Sequence, residues 1–162
     1  MQSLAQFVRF PTFPDPYPML SEETHEAIIN AYPYSKWQKL FDLIPLIERN
    51  QSFGYLAGGE QVSENSISMP YWVLNEVVDE FLSIAYKIPI VVTFDWPEWE
   101  EGRKIISDPD FDFDTTSVPA KCKLMTAIIR NDRFCEGALI QAFESGLMLR
   151  ILKSIKRQVH HE

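Results

Sequence analysis

The chain is poor in the residues that mark several common classes of protein. Its 162 residues include only two cysteines, three histidines and six glycines. No run of about 18 consecutive apolar residues is present, so the sequence predicts no membrane-spanning helix. The first ten residues lack the long apolar segment and the small-residue cleavage site of a signal peptide. We therefore expect an intracellular, cytoplasmic protein with no membrane partner.

The scarcity of histidine and glycine argues against two kinds of active site. His25 is the only histidine before the last three residues, and no serine or cysteine partner can be placed beside it, which disfavours a catalytic triad. The glycine cluster lacks the lysine and hydroxyl residue of a phosphate loop. We interpret this cluster as a turn; it consists of Gly54, Gly58 and Gly59.

The two cysteines are not expected to form a disulfide. Cys122 and Cys135 are thirteen positions apart in one predicted helical region. A continuous helix rises by about 1.5 Å per residue, which would hold the two thiols roughly 20 Å apart. We expect two reduced, buried thiols, and the alternative is a reactive Cys135 beside the positive charge of Arg133.

Positive charge is scarce over most of the chain. Residues 1–119 contain seven Lys or Arg against nineteen Asp or Glu, whereas residues 120–162 contain eight against four. The basic C-terminal region and the acidic remainder are expected to attract each other. Because the net charge is -8, duplex nucleic acid would repel the chain at long range, so nucleic acid is disfavoured as a partner.

The order of elements predicts a mostly helical α+β single domain with a small β element of two or three short strands. Residues 1–20 alternate prolines with aromatics and predict an arm that docks on its own domain or on a second copy, giving a homodimer. The domain is expected over 21–158, with a frayed tail at 159–162. Hydrophobic spacing and caps predict helices at 21–31, 36–50, 73–87, from Pro97, at 119–133 and at 138–157. Pro45 is expected to kink or divide the second of them. Strands are predicted at 52–57, 67–71 and 88–94.

The stretch 126–146 is the strongest candidate for a site. Thr126, Arg130 and Arg133 are spaced at i, i+4 and i+7, which places them on one helix face where two guanidinium groups could bind a carboxylate or phosphate. The alternative is that the arginines fix the loop before the last helix through nearby acids. Those acids, also candidates for ligand contacts, are Asp132, Glu136 and Glu144.

Two tryptophans flank Pro97 at the end of the predicted strand 88–94. Trp96 and Trp99 could stack a base or an apolar ligand, or they could simply close the core at a junction between a strand and a helix. Both are therefore candidate ligand-binding residues.

The acidic clusters do not predict a metal site. The acids at 95–101 coincide with the first turn of a predicted helix, where the helix dipole already accounts for them. Residues 108–114 imitate the start of a calcium loop, but Phe113 stands where that loop needs glycine and Pro119 where it needs glutamate. We expect no resident metal and no cofactor.

Several of these elements occur together in one known family. The chain resembles small bacterial proteins catalogued as a domain of unknown function, through Phe94-Asp-Trp-Pro-Glu-Trp99, Asp108-Pro109, the helix carrying Thr126, Arg130 and the Asp132-Arg-Phe134 triplet, and Phe143-Glu-Ser-Gly146. The match covers roughly residues 36–156. The resemblance implies a compact intracellular domain of bacterial or phage origin, and it implies no activity or catalytic residue.

Two functions are consistent with the sequence. The first is an intracellular binding or regulatory module whose site surrounds Arg130 and Arg133, with a protein or a small anion as partner. The alternative is an enzyme, a hydrolase or transferase, acting on an anionic and nucleotide-like substrate, with Glu136 or Glu144 as general base. An open pocket that combines the two arginines, a carboxylate and Trp96 or Trp99 would favour the enzyme.

Overall fold

A computed structural model describes residues 19–159 and shows a mostly helical α+β domain with two small two-stranded sheets. The predicted arm at 1–20 and tail at 159–162 therefore fall almost wholly outside the described residues. The helices are α1 (Glu22–Ala31), α2 (Tyr34–Phe41), α3 (Leu43–Arg49), α4 (Glu76–Lys87), α5 (Glu100–Ser107), α6 (Val118–Asn131), α7 (Ala138–Glu144) and α8 (Leu147–Gln158). The strands are β1 (Gly54–Ala57), β2 (Gln61–Ser63), β3 (Ser66–Ile67) and β4 (Tyr71–Leu74).

Three of the eight described helices, α1, α4 and α6, begin at a residue whose side chain caps them. Ser21 caps α1, since its hydroxyl accepts a hydrogen bond from the backbone N–H of Thr24, and Ser117 caps α6 through the N–H of Ala120. The helix predicted over 36–50 divides, but at Asp42 in place of Pro45, which gives α2 and α3. Pro45 lies in the first turn of α3, where its missing N–H costs no helical hydrogen bond.

The predicted hairpin exists with a different partner strand. β1 pairs with β4 in antiparallel register, Gly54 opposite Leu74 and Ala57 opposite Tyr71. The residues between them continue the hairpin as β2 paired with β3. We call residues 54–74 the ribbon. Because β4 occupies the start of the predicted helix 73–87, that helix begins only at Glu76, after the cap residue Asn75.

The strand predicted at 88–94 is wrong. Ile88 to Val92 form a buried irregular segment without a ladder partner. The segment is buried, as its β-branched residues indicate. Its backbone is hydrogen-bonded by side chains and not by a neighbouring strand. The Nε2 of His25 lies 2.8 Å from the carbonyl oxygen of Pro89, and burial lowers the pKa of this imidazole.

The C-terminal region also divides where the sequence predicted one helix. Residues 138–157 form α7 and α8, separated at Ser145 and Gly146. Gly146 has a φ of 83°, a left-handed conformation that glycine adopts without strain. The break turns α8 so that its basic side chains meet acidic parts of the fold. Lys153 pairs with Glu48 at 2.7 Å and Arg157 with Asp114 at 3.0 Å, which confirms the expected attraction between the two charged regions.

One hydrophobic core joins these helices, with Trp37, Phe81 and Phe143 among its largest fully buried side chains. The expectation of two buried thiols is wrong for one of them. Cys122 is buried and Cys135 is exposed, and both are free. Among the described residues no helix is both long and apolar enough to cross a membrane.

Candidate functional site

Thr126 lies in the interior of the fold, facing the irregular segment that follows α4. Its side chain is fully buried. The hydroxyl accepts a hydrogen bond from the N–H of Val92 at 3.2 Å, and it lies 2.8 Å from the carbonyl of Cys122 and 3.2 Å from that of Ile90, to which it can donate. This hydroxyl therefore satisfies backbone groups that a sheet would otherwise have paired.

The two candidate arginines occupy different environments. Arg130 is half-buried, and it has an interaction partner. Arg133 is exposed in the turn after α6, and no ion pair joins it to any residue of the described part of the chain. Arg133 therefore does not fix the loop through an ion pair with a neighbouring acid, which was the alternative considered for the two arginines.

The acids of this stretch bind backbone groups instead. Asp132 accepts hydrogen bonds from the N–H groups of Gly137 at 3.1 Å and Leu139 at 2.9 Å, which fixes the turn into α7. Glu136 accepts one from the N–H of Trp72 at 3.3 Å and so ties this turn to β4. Glu144 is exposed at the end of α7. The three carboxylates thus do not converge on one point.

A cleft of about 680 Å³ opens between α5 and the α6–α7 pair, which we call the tryptophan cleft. Trp96 and Trp99 form one wall of it. Small side chains on the opposite helices, Ala127 and Ala138 among them, leave its floor empty. This volume lies within the range of about 300–1,000 Å³ that is typical of small-molecule sites.

The two tryptophans are held to different degrees. The ring of Trp99 lies against α5 so closely that a Cβ added to Gly102 would come within 2.2 Å of it. Its other contacts are an edge-to-face packing on Phe94 at 5.4 Å and the ammonium group of Lys123 at 5.9 Å. Trp99 is therefore a fixed wall of the cleft.

Trp96 has an exposed aromatic neighbour. Its ring packs on Phe134 at 5.9 Å, and Phe134 itself is 77% exposed. The turn that carries Arg133 and Phe134 thus borders Trp96. This contact is the geometric link between the tryptophan cleft and the charged stretch singled out from the sequence.

The polar groups of the tryptophan cleft were missed by the sequence analysis. Arg103 of α5 contributes its only charge, and the amides of Asn131 and Gln141 and the hydroxyl of Ser145 contribute neutral groups. No carboxylate, histidine, cysteine or lysine of the described chain lines it. Such a lining can bind an anion and orient it through hydrogen bonds, and it offers no general base.

The residues predicted from the sequence lie on the same helix as the cleft residues but on a different face. Ala127 and Asn131 lie on α6 at i and i+4, one residue after Thr126 and Arg130, which turns them by about 100° around the helix. Helix α6 therefore borders the cleft, but the face that lines it carries Ala127 and Asn131, not Thr126 and Arg130. The sequence contains no pattern that predicts a cleft between α5 and α7.

The acidic side chains of the described residues are not gathered into a metal site. Within residues 19–159 no group of three or more His, Cys, Asp or Glu side chains is arranged to hold a metal ion. The acids at 98–101 lie at the start of a helical segment as predicted, Glu98 in a 3-10 turn and Glu100 and Glu101 in the first turn of α5.

Comparison with known proteins places the chain in a family. Neither the curated proteins nor the solved structures give a match. A family of unknown function, DUF6508, matches residues 32–161, which include all elements from α2 to α8 and the whole lining of the tryptophan cleft. The chain therefore belongs to the DUF6508 family of unknown function.

Proposed function

We propose that this protein is a binding module for a small organic anion and that its site is the tryptophan cleft. The single observation that carries this proposal is an open cleft of about 680 Å³ walled by two tryptophans and charged only by Arg103. Within residues 19–159 the Arg103 guanidinium forms no ion pair, and a cationic group in a largely apolar lining favours a ligand that brings the opposite charge.

The lining also limits the shape of the ligand. The rings of Trp96 and Trp99 favour a flat, apolar body, since aromatic faces stack on planar groups. The carboxamides of Asn131 and Gln141 can each donate and accept hydrogen bonds. We therefore expect a planar ring system with a polar edge and a single carboxylate, sulfonate or phosphate.

An enzymatic role for the same cleft has less support. The alternative of a hydrolase or transferase needs a general base near the substrate. Glu136 is bound to the backbone of β4, and neither Glu136 nor Glu144 lines the cleft. Binding without chemistry is the simpler function for this set of side chains.

Several broader expectations belong to the same proposal. The resemblance to small bacterial proteins supports a bacterial or phage origin and a cytoplasmic location. A regulatory role would follow if ligand binding altered the turn at Arg133. Arg130 and Arg133 remain proposed contacts of a larger anion that extends past Trp96. A homodimer through the arm at 1–20 is kept as a proposal because the aromatics of that arm favour docking.

Replacing Arg103 tests the proposed site directly. We expect Arg103→Gln to weaken binding of the probe anilinonaphthalene sulfonate, an aromatic anion, by about tenfold or more, because a charge-assisted hydrogen bond contributes roughly 1.5–3 kcal/mol. Fluorescence titration of the probe measures the change.

The matched control is Lys104→Gln, which removes the same charge from the next residue of α5, outside the lining. We expect it to change the affinity by less than about twofold, since exposed charges act weakly at a distance. A second variant, Ala138→Phe, fills the cleft and should abolish probe binding while the protein stays folded. Equal effects of the two glutamine variants, or binding unaffected by Ala138→Phe, would refute the proposal.

A further inference from the structure

The ribbon exposes most of the large apolar side chains that the described fold leaves in solvent. Towards its tip Val62 and Ile67, and between β3 and β4 Met69, are 68–82% exposed. Nearer the helices, Tyr55 and Leu56 of β1 and Tyr71 and Trp72 of β4 are 38–60% exposed. Exposed aromatic and methionine side chains with few charges are typical of the core of a protein interface.

The two edges of the ribbon differ. The N–H of Asn75 donates to the carbonyl of Phe53 across the ladder, and ladder hydrogen bonds recur at every second residue. The backbone groups of Leu56 and Trp72 therefore point outward, away from the partner strand. On the β4 edge Glu136 already accepts from the N–H of Trp72. On the β1 edge no described residue covers Leu56.

We propose that two copies of this chain associate through the open β1 edge, in antiparallel register with Leu56 opposite Leu56 of the second copy. In this register the two Leu56 residues exchange a pair of backbone hydrogen bonds about a twofold axis. The two ribbons become one four-stranded sheet. The surface is self-complementary, because each copy offers the same edge.

The same register aligns the apolar side chains. Leu56 lies opposite Trp72 within each ribbon, so one face of the joint sheet carries the row Trp72, Leu56, Leu56 and Trp72. On the other face Ala57 lies between Tyr71 and the Tyr55 of the second copy, and its small side chain leaves room for the two rings to meet.

Charge does not oppose this pairing. The ribbon contains two carboxylates, Glu60 and Glu64, and no basic residue. Glu60 and Glu64 lie beyond the left-handed Gly58 and Gly59, outside the residues of β1 that pair, so no carboxylate belongs to the new pair of strands. Like charges directly opposite each other would destabilise a sheet.

The apolar side chains of β1 and β4 belong to the pairing surface. Tyr55 and Leu56 of β1 and Tyr71 and Trp72 of β4 are 38–60% exposed. A second copy brings the same four side chains against them, so both faces of the joint sheet gain contacts between apolar groups.

The oligomeric state of the full chain in solution tests the pairing. Light scattering should give twice the 18.8 kDa of one chain at micromolar concentration. Leu56→Lys places two ammonium groups face to face at the axis and should give a monomer, while Leu46→Lys, at an exposed apolar position of α3, should leave the dimer intact. Circular dichroism shows that both variants fold.

A cross-link gives a positive signal that does not depend on loss of association. In a Cys135→Ser background, Leu56→Cys should form an intermolecular disulfide on mild oxidation, because Cα atoms of a hydrogen-bonded pair lie about 5.5 Å apart, within disulfide reach. Leu46→Cys should not. A monomeric wild-type chain, a dimer that survives Leu56→Lys, or a dimer lost only on deletion of residues 1–20 would each overturn this proposal.

Discussion

Replacing Thr126 by valine lowers the free energy of unfolding by roughly 2–3 kcal/mol, because an unsatisfied buried backbone group costs about 1–3 kcal/mol. Valine keeps the shape of threonine and removes the hydroxyl. The N–H of Val92 then loses its acceptor, and the carbonyl of Ile90 loses a donor. Neither group can reach water, since both residues are buried. Urea unfolding followed by circular dichroism measures the loss.

The conservative variant separates the hydroxyl from the methyl group. Thr126→Ser keeps the hydrogen bonds and should cost about 1 kcal/mol, the usual value for a buried methyl. Because Thr126 was also a candidate ligand contact, both variants should be titrated with anilinonaphthalene sulfonate. A stable Thr126→Val protein with impaired binding would show that the hydroxyl serves a ligand, contrary to our expectation.

Thr126 also illustrates why the sequence predicted the wrong role for some residues. Its spacing from Arg130 and Arg133 places the three on one helix face, and a helix face can point inward or outward. The segment that decides this, residues 88–92, was predicted as a strand because it is β-branched and apolar. Burial selects such residues whether the backbone is paired by a strand or by side chains, so the composition could not reveal that Thr126 was needed inside.

Local signals predicted the helices well and their junctions poorly. Ser21 and Ser117 act within three residues of themselves, so their caps are readable from the sequence. The break at Gly146 depends on contacts between distant segments. So does the pairing of β1 with β4 in place of the predicted strand 67–71. The fold class is confirmed for this reason. The helix predicted at 138–157 is divided in the structure, and the division expected at Pro45 occurs at Asp42.

Local signals also predicted only some of the residues that line the tryptophan cleft. Trp96 and Trp99 follow a buried segment, and both wall the tryptophan cleft. Arg103 and Gln141 were not singled out, because each is an ordinary exposed residue of its own helix. A cleft is defined by the space between helices, and that space follows from small residues on several elements at once, such as Gly102 and Ala138.

A buried lysine gives the second large effect, and it depends on pH. Lys121 is fully buried, and its Nζ donates hydrogen bonds to Ser154 and Gln158. Ser154 in turn donates to Asp114, at 2.6 Å. Burial lowers the pKa of Lys121 to about 8, and the repulsion of Arg157 adds to this decrease. The attraction of Asp114 opposes it by raising the pKa.

The sign of the effect follows from which state holds the proton. Between pH about 8 and the unfolded pKa of about 10.4, the unfolded chain keeps the proton on Lys121 and the folded chain releases it. Stability from this group therefore rises with pH in that window, by up to about 1.4 kcal/mol per unit. Lys121→Met removes the titration and the rise.

The neighbouring thiol acts in the opposite direction. Burial raises the pKa of Cys122 to about 12, so above the ordinary thiol pKa of about 8.5 the unfolded chain loses a proton that the folded chain keeps. Stability from Cys122 therefore falls with rising pH. The two slopes offset each other from pH about 8.5 to 10.4 in the wild-type protein.

Removing the lysine should expose the slope of the thiol. We expect the unfolding free energy of the wild-type chain to stay nearly constant between pH about 8.5 and 10.4, while that of Lys121→Met falls by about 1.4 kcal/mol per pH unit. Urea unfolding across this range measures both, with Lys104→Met at an exposed position as the control that follows the wild type. Because a purely structural role for Lys121 would lower stability by the same amount at every pH, a constant difference between Lys121→Met and wild type would contradict the proposed titration.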